Sequence, residues 1–373
     1  MYSLPMSTRA AATVFVLLVC CAGTIAQTFT LVPPAAGGSG TRVYGVSADG
    51  STAAGYSSTD PLTAFQWTQA GGRNDFGALP GMPQNTLAYA ISGDASTVAG
   101  SWWNGEDRPT AYRWSPSGGF ESLGRLPGAE YSTARGVSGN GSVVVGLNEY
   151  GSGGLAFRWT QAEGMTSLGF TRPGHFFSEA TAVSLDGVTI VGISFGASTS
   201  DAFAWTSATG MMILPGLPGT TTADARGVNF DGSIVVGASG SEHAVMWRNG
   251  VPIDLGLAPG YFVSRAEAVN DDGTVVVGSV RTFSDQYAAV WTPQTGMRTL
   301  VDFLALHGVT VPAGTSPLIA TGVSADGNTI VGYTGLPGQV RQGFVATIPS
   351  PGWLGAAGAL LVAGARRRRQ TGL

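Results

Sequence analysis

The chain has 373 residues, of which 57 are glycine and only 11% are charged, a composition that fits turn-rich stacked sheets better than a helical enzyme. It contains no lysine, and residues 27–349 carry 14 arginines against 23 acidic residues, which gives that body a net charge of −9. An acidic body is a poor electrostatic partner for a phosphate backbone, so nucleic-acid binding is set aside.

Residues 1–26 are predicted to form a secretory signal peptide. Arg9 precedes an apolar stretch from Ala10 to Cys21, and small residues then lead to Ala26. Cleavage is therefore predicted between Ala26 and Gln27. Met6 is an alternative start, because it brings Arg9 closer to the terminus.

The only cysteines of the sequence, Cys20 and Cys21, both lie in this signal segment. Its removal would leave a mature protein without disulfides or thiol chemistry. A lipoprotein site at either cysteine is the weaker alternative, since neither follows the small residue that such a site favours.

From residue 27 to 349 the chain repeats one short pattern, which predicts a single domain built from similar modules. In each copy an apolar run ends at a glycine, here called the closing glycine. These glycines follow one another at steps of 45, 46, 46, 45, 41 and 54 residues. The closing glycines are Gly55, Gly100, Gly146, Gly192, Gly237, Gly278 and Gly332.

The first half of each copy is predicted to be a hairpin. A small residue followed by Val or Ile, as in Gly136-Val137, comes shortly before a turn and the apolar run. The turn is Asp-Gly in five copies, Asn140-Gly141 in the third and Asp94-Ala95 in the second. Asp-Gly and Asn-Gly supply the positive φ angles that a tight hairpin needs.

The second half of each copy is predicted to add two further strands. A third segment places an aromatic residue and a tryptophan two positions apart, as in Phe157 and Trp159, and a fourth ends in a Pro-Gly turn in several copies. The run Val143 to Val145 is apolar at consecutive positions, which favours a strand covered on both faces. The predicted fold class is therefore all-β: a seven-bladed β-propeller with four strands per blade. The small residue before Val predicts that the first hairpin lies closest to the axis.

Two segments depart from the pattern. Residues 28–33 resemble the fourth strand of a copy but precede the first copy. The seventh copy lacks a fourth strand after residues 343–347. The N-terminal strand is therefore predicted to complete the last blade. Residues 300–307 have apolar positions three and four apart and precede Gly308, which predicts one short helix.

These motifs resemble the HAF family of bacterial extracellular repeats. The resemblance rests on residues 156–160, on the Gly-Met-x-x-Leu-Gly pattern after them and on the Val-Ser-x-Asp-Gly turns, over roughly residues 28 to 349. The sequence departs from the pattern at Val245 and Ala289, which lack the aromatic ring, and at Ala346, which lacks the tryptophan. The resemblance implies an extracellular protein and assigns no catalytic residues.

The C-terminal residues 350–373 are predicted to form a sorting or anchor signal. An apolar stretch from Trp353 to Ala365 follows Pro349 and Pro351, and as a helix it would reach about 20 Å, short of the roughly 30 Å hydrocarbon core. The order of proline motif, apolar stretch and arginine cluster resembles that of PEP-CTERM sorting signals, with Ser350 in place of the usual Glu. The resemblance implies an exosortase-type sorting machinery as partner. By the positive-inside rule the arginine cluster stays cytoplasmic, which implies transient membrane association. The cluster consists of Arg366, Arg367, Arg368 and Arg369.

No catalytic or metal site is predicted. Residues 192–196 match the Gly-x-Ser-x-Gly nucleophile elbow, but Gly192 is a closing glycine and no βα unit surrounds it, so the match is interpreted as accidental. The three histidines, His175, His243 and His307, show no ligand spacing. No cofactor is predicted, with calcium at the turn aspartates as the alternative; aspartate also favours turns without any metal.

Trp102 and Trp103 are the candidate binding residues. They do not fit the repeat and open an irregular polar loop, where adjacent rings suit stacking on sugars or contact with a protein. The alternative is that one ring fills a gap beneath the loop and the other covers a blade edge.

The sequence thus predicts a secreted or cell-surface structural or binding protein of the bacterial envelope or extracellular matrix, with exopolysaccharide or envelope proteins as partners. It predicts no enzyme. The alternative is a propeller glycoside hydrolase or lyase, because the turns loosely resemble the Asp-boxes of sialidases. An enzyme should gather acidic, Arg or Tyr side chains in one non-repeating funnel on one face, whereas a binder needs only aromatic or polar rim loops.

Overall fold

The computed structural model describes residues 27–76, 85–103, 108–240, 242–335 and 340–348. The predicted signal peptide and the predicted sorting signal, including Pro349, lie outside these residues. Within them the chain forms 28 strands and one helix.

The elements are short and follow one another closely. In chain order the first half holds β1 Thr28–Val32, β2 Thr41–Val46, β3 Thr52–Ser57, β4 Thr63–Thr68, β5 Gly72–Asp75, β6 Thr86–Ile91, β7 Val98–Trp103, β8 Pro109–Ser115, β9 Gly119–Gly124, β10 Tyr131–Val137, β11 Val143–Tyr150, β12 Gly153–Thr160, β13 Gly164–Gly169 and β14 Phe177–Val183. The second half holds β15 Ile190–Phe195, β16 Ser200–Thr206, β17 Gly210–Leu214, β18 Ala223–Val228, β19 Ile234–Ser239, β20 His243–Arg248, β21 Val251–Asp254, β22 Val263–Val269, β23 Val276–Arg281, β24 Gln286–Thr292, β25 Gly296–Thr299, α1 Leu300–Leu306, β26 Pro317–Val323, β27 Thr329–Thr334 and β28 Gly343–Thr347.

The strands pair into antiparallel sheets that follow the copies of the repeat. Five sheets have four strands, and an eight-stranded sheet consists of β10–β13 and β14–β17 joined by one parallel bridge between Gly154 and Phe177. The first strands of successive copies contact one another in the order β2, β6, β10, β14, β18, β22 and β26, and β26 contacts β2 in turn. The innermost strands therefore form a closed ring, as the small residue before Val predicts.

The N-terminal strand closes the last sheet. β1 pairs with β28 in an antiparallel register from Thr28 opposite Thr347 to Val32 opposite Gly343. Phe29 stacks on Phe344 with ring centroids 5.2 Å apart, and Val32 is fully buried. The pairing predicted between residues near 30 and near 345 is confirmed.

The hydrophobic core lies between neighbouring sheets. Val144 packs with Ala99 and Ala111 of the preceding copy, whereas Val143 and Val145 pack in a cluster with residues of the following copy. Alternate side chains of one strand thus fill the gaps on its two sides. This confirms the prediction that the consecutive apolar positions belong to strands covered on both faces.

Every first strand contains a β-bulge beside the closing glycine. In the third copy the register shifts between Ala134 and Gly136, opposite Gly146. A Cβ on Gly146 would lie 2.0 Å from the carbonyl oxygen of Thr133, and the equivalent distances at the other closing glycines are 1.8 to 2.1 Å. Only glycine permits this approach of the two backbones, which explains why the residue recurs in every copy.

The hairpin turns have fewer positive φ angles than predicted. Only the second residue of each turn has a positive φ, 73° at Gly50 and 60° at Ala95, the alanine exception. The Asp49 carboxylate accepts hydrogen bonds from the Ser47 and Ser51 hydroxyls and from the Ser51 amide, at 2.6 to 3.0 Å. Burial would raise the pKa of Asp49, but these bonds outweigh it and lower the pKa. The carboxylate of Asp49 therefore stabilises its turn through local hydrogen bonds.

The predicted helix is present as α1, directly before the last copy. The Thr299 hydroxyl caps it by accepting a hydrogen bond from the amide of Asp302, and Gly308 follows with a φ of 73°. Leu300, Phe303 and Leu304 are buried against the last two sheets.

Replacing the closing glycine of the third copy tests the bulge. We expect Gly146→Ala to destabilise the protein by about 2 kcal/mol or more, because the added carbon overlaps the Thr133 carbonyl. Chemical denaturation measures the change. Gly151→Ala is the control, since its Cβ would meet only Glu130 Oε1 at 3.5 Å; equal stability losses in the two variants would contradict the account.

Removing the N-terminal strand tests the ring closure. A protein that begins at residue 35 should have a lower melting temperature, because it exposes the edge of β28 and loses the burial of Val32, worth about 2 kcal/mol. A synthetic peptide of residues 27–36 should restore part of the loss when added in excess. An unchanged melting temperature would show that β1 does not stabilise the ring.

Candidate functional site

The bulges direct one side chain per copy towards the ring axis. The residue that the register shift leaves unpaired, here called the bulge residue, lines one central cavity in every copy. Bulges re-aim side chains in this way next to many functional sites. The bulge residues are Tyr44, Tyr89, Arg135, Thr181, Arg226, Glu267 and Thr321.

The cavity narrows towards the hairpin turns. Hydrogen bonds connect successive turns at that end. The Leu185 side chain of the fourth copy also lies close to the second copy, since a Cβ on Gly93 would be 3.1 Å from Leu185 Cδ2. The bonds run from Ala48 N to Gly93 O (2.9 Å), Asp94 N to Gly139 O (2.9 Å), Gly139 N to Leu185 O (2.8 Å), Asp186 N to Phe230 O (3.2 Å), Phe230 N to Asp271 Oδ1 (3.1 Å), Asp271 N to Ala325 O (3.0 Å) and Ala325 N to Ala48 O (2.9 Å).

The cavity widens on the opposite face, where its volume is about 600 Å³. We call this wide part the funnel. Besides the bulge residues it is lined by charged and aromatic side chains of the first and second strands, chiefly Glu179, Asp224, Phe177, Phe195 and Tyr333. Its volume is within the usual range for small-molecule sites.

One half of the funnel is an ion-pair network around Arg226. This guanidinium lies 2.7 Å from Asp224 Oδ2 and 3.2 Å from Glu267 Oε2, and Arg265 approaches Asp224 at 3.8 Å. Burial raises the pKa of Glu267, and Arg226 opposes that shift. Burial would lower the pKa of Arg226, but the two carboxylates outweigh it and raise the pKa.

A second ion pair connects this network to an aromatic half. Arg135 Nε donates to Glu179 Oε1 at 2.7 Å, while its guanidinium lies over the Tyr89 ring, 4.9 Å from the centroid. Burial would lower the pKa of Arg135, but Glu179 outweighs it and raises the pKa. The charge of this arginine is thus neutralised within the protein.

The aromatic half is a cluster of tyrosines with Tyr44 at its centre. Tyr44 stacks on Tyr56 at 5.8 Å, meets Tyr89 edge-on at 5.4 Å and lies 5.8 Å from Tyr333. Arg42 donates to the Tyr56 hydroxyl and lies over the Tyr56 and Tyr333 rings at 5.5 and 5.8 Å. Burial raises the pKa of Tyr44, so its hydroxyl remains a hydrogen-bond donor.

The predicted binding residues lie outside the funnel. Trp102 and Trp103 end β7, on the same face as the funnel mouth, because Trp102 pairs with Thr86 at the start of β6. Trp102 is only 8% exposed and its indole nitrogen has no hydrogen-bond partner among the described residues, whereas Trp103 is half-buried. Their role in binding stays a prediction, and residues 104–107 of their loop lie outside the described ranges.

The Gly-x-Ser-x-Gly segment has a histidine and a carboxylate beside it. Ser194 Oγ lies 2.9 Å from His175 Nδ1, and Asp201 Oδ2 lies 3.9 Å from His175 Nε2. Ser194 is nevertheless fully buried, and its hydroxyl accepts a hydrogen bond from the Thr171 amide, the contact that other copies make at the same position. The geometry agrees with the interpretation of the motif as accidental.

The described residues contain no cluster of side chains suited to a metal ion. Within the described ranges, no three His, Cys, Asp or Glu side chains converge as metal ligands. His243 lies 2.9 Å from Asp254, far from the other two histidines in sequence, and His307 caps α1. None of the helical structure in the described residues has the length and apolar character to cross a bilayer.

The funnel residues were not predicted from the sequence. Their signal is the position directly before the small residue of the first strand, which is polar or aromatic in every copy although its neighbours are small or apolar. This position differs between copies whereas its neighbours remain small or apolar, and that contrast distinguishes the funnel residues in the sequence.

Stacked four-stranded sheets around a closed ring of inner strands define a β-propeller. No family model and no curated protein sequence matches the chain. Solved structures share the fold: an oligogalacturonate lyase in complex with manganese gives a TM-score of 0.57 at 15% identity, covering 88% of this chain and 98% of that one. The oligogalacturonate lyase of Vibrio parahaemolyticus gives 0.57 at 11% identity, covering 86% and 93%.

Two other similar structures are longer than this chain. One of two prolyl endopeptidases gives a TM-score of 0.58 at 11% identity, covering 83% of this chain and 48% of that one. TolB from Acinetobacter baumannii gives 0.43 at 14% identity, covering 69% and 62%. The chain thus spans less than two thirds of either length. At 11% identity the prolyl endopeptidase shows a likeness of fold alone.

Removing the central cation tests the ion-pair network. We expect Arg226→Met to cost about 3 kcal/mol or more at pH 8, because two partly buried carboxylates lose their counter-ion. Without Arg226 the pKa of Glu267 rises further above its unfolded value of about 4.3. A raised carboxyl pKa means stability that is present at low pH and lost as the pH rises, so the deficit should shrink between pH 8 and pH 5. Denaturation at both values measures it, with Arg226→Lys as the control; a pH-independent deficit would contradict the assignment.

Proposed function

We propose that the chain is an exported seven-bladed β-propeller that binds a saccharide in its funnel. The observation that carries the proposal is the set of bulge residues. A repeat that holds its scaffold constant places four different kinds of side chain, Tyr, Arg, Thr and Glu, at seven equivalent positions in one cavity. Such a non-repeating cluster within a repetitive scaffold is what a specific ligand site requires.

The chemistry of the funnel favours a sugar as ligand. Tyr44, Tyr89 and Tyr333 offer ring faces and hydroxyls, while Glu179, Asp224 and the arginines offer acceptors and donors around them. Flat apolar faces beside many polar groups suit a pyranose, which has apolar ring faces and hydroxyls at its edge.

The cellular setting of the proposal rests on the two ends of the sequence. The predicted signal peptide exports the chain, and the PEP-CTERM-like tail holds it briefly at the membrane before sorting by an exosortase-type machinery. The propeller then acts at the cell surface or in the matrix, where exopolysaccharide and envelope proteins are its available partners.

An enzymatic role is the second candidate, and the composition of the funnel supports it. The funnel gathers acidic, Arg and Tyr side chains on one face, and Arg226 holds Asp224 and Glu267 side by side. Burial raises the pKa of Glu267. A carboxyl group with a raised pKa beside a second carboxyl group is the arrangement from which glycoside hydrolases obtain their acid and base.

The test measures binding of residues 27–349 to the organism's own exopolysaccharide and to fragments of it. Tyr44→Leu should weaken binding about tenfold, the effect of losing about 1.4 kcal/mol of ring contact. Tyr150→Leu, outside the funnel on the same face, and the double variant Trp102→Ala/Trp103→Ala should bind as the parent does. If the double variant alone loses binding, the saccharide site lies at the tryptophan loop and not in the funnel.

Product analysis of the same mixtures separates binder from enzyme. New reducing ends or unsaturated sugars that accumulate with the parent, and not with Glu267→Gln, would replace the binding role by the enzymatic one. A polymer that is bound and released intact supports the binding role.

A further inference from the structure

A second cavity opens on the face of the funnel mouth, between the third and fourth copies. Its volume is about 390 Å³, and we call it the cleft. The β11–β12 hairpin contributes Tyr150 and Leu155, and the loop before β14 contributes Phe170, His175 and Phe176. Phe170 and Phe176 are 38% and 47% exposed, whereas Tyr150 and Leu155 are half-buried. The cleft therefore presents two phenylalanine rings to solvent.

The cleft exists because the third copy departs from the repeat. Its second and third strands, β11 and β12, are eight residues long, whereas the other described strands have seven residues or fewer. This longer hairpin reaches the start of β14, where Gly154 pairs with Phe177 in the parallel bridge. A Cβ on Gly153 would lie 2.4 Å from the Phe176 carbonyl oxygen, so glycine is needed for this approach. The ring does not require the extension, since the other copies close it with shorter strands.

The loop that carries the two exposed rings is held by contacts with buried polar side chains. Arg172 donates two hydrogen bonds to the Asp201 carboxylate, at 2.5 and 2.6 Å, and the Thr171 hydroxyl donates to it at 2.8 Å. His175 Nδ1 lies 2.9 Å from the buried hydroxyl of Ser194. The rings are thus fixed before any ligand arrives, which lowers the entropic cost of binding.

The cleft and the funnel share one aromatic wall. Phe176 of the cleft and Phe177 of the funnel are consecutive residues. Phe195, which also lines the funnel, stacks on Phe177 with ring centroids 4.5 Å apart and meets Phe176 edge-on at 5.9 Å. A row of contacting rings therefore leads from the funnel to the cleft, and a ligand that extends beyond the first cavity meets the second.

We propose that the cleft is a second sugar subsite, so that the protein binds a saccharide chain with one part in the funnel and an adjoining part against Phe170 and Phe176. This inference rests on the proposed function and specifies its ligand as a chain of several sugars. Aromatic rings match the apolar faces of pyranoses. Because the units of a chain are covalently linked, binding in the funnel raises the effective concentration of the next units at the cleft.

The alternative occupant of the cleft is an apolar segment of a partner protein. Exposed aromatic rings are also what a hydrophobic protein contact uses. That role predicts that the affinity for a saccharide does not depend on the length of its chain once the funnel is filled. A series of fragments of different length therefore separates the two roles.

The experiment measures affinity as a function of chain length. Fragments of the organism's own exopolysaccharide, from disaccharides to octasaccharides, are separated by size and titrated calorimetrically into residues 27–349. We expect the longest fragments to bind about tenfold more tightly than the disaccharides, the effect of gaining about 1.4 kcal/mol of ring contact. The gain should appear at the length that reaches from the funnel to the cleft, and not grow evenly with each added sugar.

The variants assign the gain to residues. Phe170→Ala/Phe176→Ala should bind disaccharides as the parent does but lose the gain of long fragments, whereas Tyr44→Leu should weaken binding at every length. Phe176→Tyr keeps a ring in the cleft and should retain the gain, and so should Tyr150→Leu, which leaves the wall apolar. Phe283→Ala is the matched control, because this ring is 93% exposed on the same face and lies outside the funnel and the cleft.

Each outcome decides the inference. Equal affinity of the parent for short and long fragments would overturn the second subsite and leave binding in the funnel standing. A gain that survives the double variant would remove the cleft from the path of the chain, and a gain lost in Phe283→Ala would move that path to the sixth copy. Failure of every fragment to bind the parent would remove the proposed function and this inference together.

The stability of the variants is measured alongside. Thermal unfolding of each variant shows whether a loss of binding reflects a loss of fold. If the double variant keeps its melting temperature but loses affinity equally at every length, the two rings act through the wall of the funnel, and the separate subsite is overturned.

Discussion

The architecture depends on one close contact between backbones, where the carbonyl oxygen of a first strand lies over the closing glycine of the second. At Gly146 any side chain would begin 2.0 Å from the Thr133 oxygen, and the same clash recurs in every copy. The contact accommodates an extra residue in the first strand, and that residue cannot pair with its neighbour. Since the first strands form the innermost ring, each unpaired residue turns towards the axis. A constraint on main-chain packing thus determines which side chains line the funnel.

The contact also separates the positions that must remain constant from those that can vary. Valines such as Val144 and Val145 fill the gaps between sheets, and serine and aspartate at each turn satisfy the local amides. These positions stabilise every module in the same way. The bulge residue has no role that is common to all copies. Its side chain lines the cavity, where Thr181 and Thr321 donate to a carbonyl of the adjacent first strand and Arg226 pairs with carboxylates. The scaffold therefore does not require one residue type there, and Arg135, Glu267 and Thr321 differ for that reason.

Charge distribution gives the funnel its chemical character. Buried ion pairs such as those of Arg226 contribute little net stability, because desolvation offsets their attraction, but they hold side chains in one arrangement. They also neutralise the two arginines among the lining residues, Arg135 and Arg226. The funnel mouth lies on the same face as Trp103 and as the exposed Phe283, so a polymer bound at the centre has aromatic surface available at the rim.

The sequence by itself determined the module: its period, the hairpin with its Asp-Gly turn, the completion of the last sheet by residues 28–32 and the helix before the final copy. Most of these features follow from patterns within about fifty residues. The completion of the last sheet follows because the seventh copy lacks a fourth strand and the N-terminal end has an extra one. It did not determine the site, because a one-residue bulge reverses the face to which a strand residue points, and a bulge is a property of pairing and not of composition. Only the tertiary structure brings Tyr44, Arg226 and Glu267 together, since the ring closes over residues that lie hundreds of positions apart. The proximity of His175 to Ser194 was equally invisible, and the same structure shows it to be buried.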